Sequence, residues 1–152
     1  MLATAIVAGC GEGQEQEPAA ERLSRGEAIA SLDALCRQTY AQVDAAGPEP
    51  SVAAGTTGAL DRYGSWQQRV LASTEAGLRR VEQLRIPADG RAKEIEAYVF
   101  WGREMVAASH KLLAAVRTGD AGEAERQGWA RDSAVDQAGH AAKRYGLTEC
   151  GA

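Results

Sequence analysis

The 152-residue chain is short of proline, of strand-type clusters of phenylalanine, isoleucine and valine, and of basic charge. Only four prolines occur. Three lie in linker-like stretches and one lies between two helical patterns, so helices are not interrupted by the residue that breaks them. A net charge of −4 provides no basic face of the kind that binds nucleic acid. No apolar run reaches the roughly 18 residues that predict a transmembrane helix. These shortages favour one acidic, helical domain.

Motifs for metal, haem and catalysis are also missing. Neither histidine follows a glutamate at the Glu-x-x-His spacing of di-iron bundles, and no two cysteines have the C-x-x-C-H spacing of covalent haem. Ser133, Asp136 and His140 are the residue types of a hydrolase triad. They fall on a helix face opposite an alanine stripe, so we expect them to face water rather than a substrate. We therefore expect no enzyme activity, no metal and no cofactor.

Four amphipathic helices account for most of the chain. Apolar residues recur at steps of three and four in four separate stretches, which is the helical period. A capping box of the S-x-x-E type opens the first stretch, and an aspartate in an N-cap position opens the third and the fourth. The expected limits of the helices are Ser24 and Gly47 for the first, Leu60 and Leu84 for the second, Asp89 and Gly119 for the third, and Asp120 and Gly146 for the fourth.

The mostly short connections between these helices favour antiparallel neighbours. The expected fold class is all-α, an up-down-up-down antiparallel four-helix bundle that spans residues 22–152. The apolar stripes expected to form its core include Tyr40 on the first helix, Leu60 on the second and Val135 on the fourth. The many alanines of the fourth helix, with Gly102 and Ser109 on the third, predict close approach between helices.

The N-terminal stretch Val7-Ala8-Gly9-Cys10 resembles the lipobox of bacterial lipoproteins, an aliphatic residue and two small residues before a cysteine. The resemblance implies that Cys10 carries acyl chains such as palmitate and that residues 1–9 are the remnant of a type II signal peptide. It further implies a lipid anchor on the outer face of the cell membrane, with secretion as the alternative. Residues 10–21 are acidic and poor in apolar side chains, so we expect a flexible tether after the lipidated cysteine.

Two cysteines, Cys36 and Cys150, remain once Cys10 is assigned to a lipid. Disulfides persist outside the cytoplasm, and two is the number needed for a pair. We expect a Cys36–Cys150 disulfide that closes one end of the bundle as the C-terminal tail folds back. The alternative is a buried thiol at Cys36 and an exposed one at Cys150.

Two large aromatic residues, Phe100 and Trp129, fall on the outward faces of adjacent helices. Such a pair can form a patch for a partner protein, unless a loop or the tether covers it. We expect an envelope-anchored, non-catalytic binding or scaffold module whose ligand the sequence does not identify. The alternative is a carrier that holds an apolar molecule or haem in the bundle core, where Met105 lies on the apolar seam.

Overall fold

The computed structural model describes residues 22–50 and 58–150. The lipobox-like stretch, the expected tether and Cys10 lie outside this range. The described chain forms four α-helices, and no strand occurs within it. None of the four helices combines the length and the apolar character needed to span a membrane. In chain order the helices are α1 (Arg25–Asp44), α2 (Ala59–Gln83), α3 (Ala92–Thr118) and α4 (Ala121–Tyr145).

The starts of α1 and α4 are confirmed as capped ends. The backbone N–H of Glu27 donates to the Ser24 hydroxyl, and the Glu27 carboxylate accepts from the Ser24 N–H at 2.8 Å, which completes the capping box. At α4 the Asp120 carboxylate accepts from the Glu123 N–H at 2.9 Å. Each cap satisfies backbone donors that the first helical turn leaves without partners.

The start of α3 differs from the expectation that Asp89 is its N-cap. The helix begins at Ala92, and the N-cap position falls to Arg91 without a side-chain cap. The Asp89 carboxylate instead accepts from the Arg91 N–H, two residues on, at 2.9 Å. This local turn competes with helix formation, as short polar side chains commonly do.

Glycines end α3 and α4 as the sequence predicts. Gly119 and Gly146 adopt φ values of +70° and +108°, in a region that side chains with a Cβ rarely enter. Beyond α4, the Leu147 N–H donates to the Ala142 carbonyl at 3.0 Å, as in a Schellman ending. This turn directs the C-terminal tail back across the end of α1.

The expected tail disulfide is confirmed. Cys36 in α1 and Cys150 in the tail are bonded, with their Cα atoms 5.2 Å apart. Asp33 lies one turn from Cys36 and accepts hydrogen bonds from the Thr148 hydroxyl at 2.9 Å and from the Glu149 N–H at 3.0 Å. Covalent and polar contacts therefore hold the tail against α1.

The buried core lies around this disulfide and takes residues from all four helices and the tail. Helices that follow one another in the chain lie in close contact. By contrast, the backbones of α1 and α4 nowhere bring their Cα atoms within 8 Å of each other, and these two helices meet through side chains, as where Arg25 donates to the Tyr145 carbonyl at 2.9 Å. The main cluster comprises Leu32, Cys36, Val81, Ile95, Ala142, Tyr145, Leu147 and Cys150.

Three residues expected in the core are exposed instead. Leu60 is 51% exposed because the buried face of α2 runs through Ala59, Tyr63 and Gln67 and leaves Leu60 outside it. Tyr40 and Val135 are 45% and 46% exposed. They belong to α1 and α4, the two helices whose backbones remain apart, and that separation leaves them accessible to solvent.

Candidate ligand-binding cavity

A cavity of about 270 Å³ lies between the four helices. Every helix contributes to its wall, and none of the described residues in that wall carries a charge. Aliphatic and small side chains dominate, with threonine and tyrosine hydroxyls as the polar groups. Representative lining residues are Leu35 and Cys36 from α1, Leu78 from α2, Tyr98 and Met105 from α3, and Ala138 from α4. Such an apolar wall with few polar groups is typical of small-molecule sites.

The cavity opens to solvent beside α1 and α4. Tyr40 and Val135 both line the cavity and are both about half exposed. They mark the opening from the α1 and α4 sides. The disulfide lies in the same wall, because Cys36 and Cys150 also line the cavity. The tail therefore bridges α1 and α4 beside the opening.

Three glycines line the cavity, and their surroundings differ. A Cβ on Gly77 would overlap the Thr39 side chain, and one on Gly102 would come within 2.9 Å of Leu78 Cδ1. These two glycines permit close helix packing beside the cavity. A Cβ on Gly139 would meet no other atom within 4 Å. Position 139 is therefore where a larger side chain could enter the cavity without displacing a neighbour.

The tyrosines of the cavity wall are held in their neutral form. Burial, with a smaller contribution from nearby Tyr40, raises the pKa of Tyr98 to about 12. Burial also raises the pKa of Tyr40. The Tyr98 hydroxyl lies 3.4 Å from Cys36 Sγ and donates to it, because a disulfide sulfur has no proton to give. The cavity thus presents no charge to a ligand at neutral pH.

A second cavity of about 280 Å³ adjoins the first. The two share Val70, Thr74, Met105 and Val135 in their walls, so these side chains form the boundary between them. The second cavity is more polar, since Gln67, Ser109, Arg131 and Asp132 also line it. The two cavities are thus neighbours of different character, one apolar and the other partly polar.

Gln67 is a buried polar residue that the sequence analysis missed. It is only 2% exposed, and its side-chain oxygen Oε1 has no hydrogen-bond partner. It lies four residues after Tyr63 and four before Leu71, both buried. This position on the apolar stripe of α2 was the signal that could have identified it.

The two outward aromatic residues, Phe100 and Trp129, are exposed. Phe100 is 52% exposed and Trp129 is 73% exposed. The Phe100 ring packs edge-on against Trp101, with 5.0 Å between ring centroids. Phe100 also lines a surface groove of about 860 Å³ beside the α2–α3 connection, and Trp129 does not. Their role in binding a partner protein stays a prediction.

Residues that resemble catalytic or metal-binding groups are dispersed. Ser133, Asp136 and His140 are all exposed, which confirms that they face water. His110 is exposed as well, and its Nε2 lies 2.5 Å from a Glu75 carboxylate oxygen. Within residues 22–50 and 58–150, no cluster of three or more histidine, cysteine or acidic side chains could hold a metal ion.

Comparisons with known proteins find no match among family models, curated proteins or solved structures. The function must therefore be argued from the geometry of this chain. The two adjoining cavities are the feature with the most specific chemistry, because their walls combine an open apolar space with one unsatisfied buried polar group.

Proposed function

We propose that the protein is a non-catalytic binding module of the bacterial cell envelope that holds a small, uncharged, apolar molecule between its helices. The cavity between the four helices is the observation on which the proposal depends. A well-packed helical core contains few voids larger than a water molecule. An apolar cavity that opens to solvent beside Tyr40 and Val135 is therefore better explained by a ligand than by packing.

The size of the cavity limits the ligand. Benzene binds in an apolar cavity of about 150 Å³. The cavity of about 270 Å³ therefore suits a molecule of roughly ten carbon atoms. A haem macrocycle is much larger than this. The exposed His110 is paired with Glu75 and does not line the cavity, so the haem-ligand types among the described wall residues are Met105 and the tyrosines Tyr40 and Tyr98. These features favour a small apolar ligand over haem.

The bundle topology proposed with this function is up-down-up-down. Contacts between α2 and α3 support it. As the residue number rises along α3, the number of its partner in α2 falls, which is the pattern of antiparallel helices. Contacts between α1 and α2 follow the same rule. The supporting pairs are Arg103 with Glu82, His110 with Glu75, and Arg117 with Gln68, and then Gln38 with Arg80 and Gly47 with Trp66.

The envelope location is proposed from the lipobox-like stretch that ends at Cys10. The Cys36–Cys150 disulfide supports export, because such bonds persist outside the cytoplasm. We expect the full chain to fractionate with membranes and Cys10→Ala to be released from them. Cys150→Ala, which removes a different cysteine, should remain with the membranes. If Cys10→Ala stayed with the membranes as Cys150→Ala does, the lipid anchor at Cys10 would be contradicted. That result would not affect the proposal for the cavity.

The binding proposal is tested by calorimetric titration of the full chain with naphthalene, a rigid apolar molecule of the expected size. Gly139→Leu places a side chain into open space at the cavity wall. The matched control is Gly128→Leu, at another α4 glycine with no atom within 4 Å of an added Cβ and outside both cavities. We expect the wild type and Gly128→Leu to bind naphthalene, and Gly139→Leu to lose binding.

The two glycine variants also separate ligand binding from stability. Both replace an α4 glycine by a better helix former, so both should unfold at a higher temperature than the wild type. If all three proteins bind naphthalene equally, or if none binds it, the cavity is not the site. Equal loss in both variants would indicate a general effect on α4 and would also oppose the proposal.

A scaffold role for Phe100 and Trp129 is the second candidate, and their exposure is the observation that favours it. Substitution of both by serine should abolish crosslinking to a partner in intact envelopes while naphthalene binding is retained. Unchanged crosslinking of the double variant would rule out these side chains as the contact.

A further inference from the structure

We infer that the natural ligand is amphipathic, with an apolar body in the first cavity and an uncharged hydroxyl that bonds to Gln67 in the second. This inference depends on the proposed binding function and specifies the chemical class of the ligand. Its basis is the juxtaposition of an apolar cavity with an adjoining one that holds an unsatisfied buried carboxamide.

The Gln67 carboxamide is the central observation. Burial of a polar atom without a partner destabilises a protein, and most such atoms in native structures are satisfied. Gln67 Oε1 has no partner, although the residue is 2% exposed and lines the second cavity. Because Gln67 lines the second cavity, its carboxamide is the group through which that cavity could complete the missing bond with a ligand. A ligand hydroxyl would then donate the missing hydrogen bond.

The neighbouring hydroxyls differ from Gln67 Oε1 because each already has a hydrogen-bond partner. The Thr74 hydroxyl donates to the Val70 carbonyl at 3.0 Å, and the Ser109 hydroxyl donates to the Met105 carbonyl at 2.8 Å. Both bonds lie within a helix and use the only proton of the hydroxyl. Gln67 is therefore the buried side chain of the second cavity whose hydrogen bonding is incomplete.

The charges around the second cavity favour a neutral head group over an acidic one. Arg131 is the cation in its wall, and its guanidinium is bonded to the Asp132 carboxylate at 2.8 Å. Glu49 adds a second carboxylate to the lining. A ligand carboxylate would meet more negative than positive charge there. A hydroxyl avoids that repulsion and still donates to Gln67.

The boundary between the cavities can accommodate an elongated molecule. Met105 is one of the shared side chains, and its flexible thioether adapts readily to a neighbour. Along α2, the wall runs from Gly77 in the first cavity to Gln67 in the second, a rise of about 15 Å at 1.5 Å per residue. A linear chain with one terminal hydroxyl matches this shape.

The test is calorimetric titration of the full chain with three probes: 1-decanol, its methyl ether, which cannot donate a hydrogen bond, and decanoate. We expect 1-decanol to bind about tenfold more tightly than the ether, as one buried hydrogen bond would give. Decanoate should bind more weakly than 1-decanol. In Gln67→Met the alcohol and the ether should bind with equal affinity.

Two further measurements distinguish a contact with the ligand from a structural role. Gln67→Met replaces an unsatisfied polar group by an apolar one of similar size, so its melting temperature without ligand should not fall. Gln68→Met, at the exposed neighbouring position, should keep the tenfold preference. Equal binding of alcohol and ether by the wild type, with naphthalene still bound, would overturn the inference and leave the proposed function intact. Loss of naphthalene and of all three probes would overturn both.

Discussion

At the residue scale, Asp33 shows how one carboxylate holds the tail in place. Its side chain is buried at 7% exposure and accepts the Thr148 hydroxyl and the backbone N–H groups of Thr148 and Glu149. Burial opposes ionisation, but these hydrogen bonds outweigh it and lower the pKa of Asp33. The charged form is therefore favoured in the folded state more than in the unfolded chain.

Asp33→Asn should destabilise the protein at pH 7 by about 1–3 kcal/mol, because donors that the carboxylate satisfies would lose their partners. Since the folded-state pKa lies below the unfolded value of about 3.9, this contribution is present above that pH and is lost as pH falls through the folded pKa. Urea unfolding at pH 7 and pH 3 should show that the difference in free energy of unfolding between the wild type and Asp33→Asn is smaller at pH 3. Asp44→Asn, an exposed position on the same helix, is the control. A difference that stays constant with pH would contradict the account.

At the element scale, glycines in two helices have opposite roles. Gly77 in α2 is buried, and a methyl group there would overlap Thr39 of α1. The absence of a Cβ lets these helices approach. Gly128 in α4 has no atom within 4 Å of an added Cβ. There the glycine weakens the helix without improving its packing.

Gly77→Ala should therefore destabilise the protein by about 1–3 kcal/mol, since overpacking outweighs the gain in helix propensity. Gly128→Ala should stabilise it by about 0.5–1 kcal/mol. Chemical unfolding of both variants measures the difference. Thr39→Ala in the Gly77→Ala background should restore part of the loss. If Gly77→Ala were as stabilising as Gly128→Ala, the α1–α2 packing described here would be wrong.

Local signals predicted the elements well where the deciding interactions lie within a few residues. The Ser24 capping box, the Asp120 cap and the Gly146 ending each depend on neighbours in sequence, and all are confirmed. The start of α3 was placed too early because Asp89 makes a turn with Arg91, an alternative that the same residue type also permits. Periodicity placed Tyr40 in the core, since it identifies a helix face but not the distance to the opposing helix.

At the scale of the whole molecule, the cavity could not be predicted from the sequence. Its wall combines side chains from all four helices and from Cys150 in the tail, so it depends on contacts between stretches that are far apart in the sequence. Gln67 could have been identified from its sequence position, as a polar side chain on an apolar stripe. The tail disulfide was predictable, because it required only the number of cysteines and an oxidising compartment.

The disulfide joins positions separated by 114 residues, so its loss should affect the unfolded state strongly. In the chain-entropy model a loop of this length stabilises the fold by about 4–5 kcal/mol. Cys36→Ala with Cys150→Ala should therefore lower the free energy of unfolding by that amount. The free energy of unfolding should also fall more steeply with urea concentration, because the unfolded chain is less compact without the crosslink. Equilibrium unfolding of the double variant and of oxidised wild type measures both quantities.

The same double variant tests whether the tail contributes to the cavity. Cys36 and Cys150 line the cavity, and the tail bridges the helices on its open side. If the variant stays folded, Asp33 still holds Thr148 and Glu149 through hydrogen bonds, so the tail should remain near α1 with less restraint. Naphthalene affinity should then fall without being lost. Unchanged stability would contradict the entropic account, and unchanged affinity would show that the disulfide shapes the fold but not the ligand site.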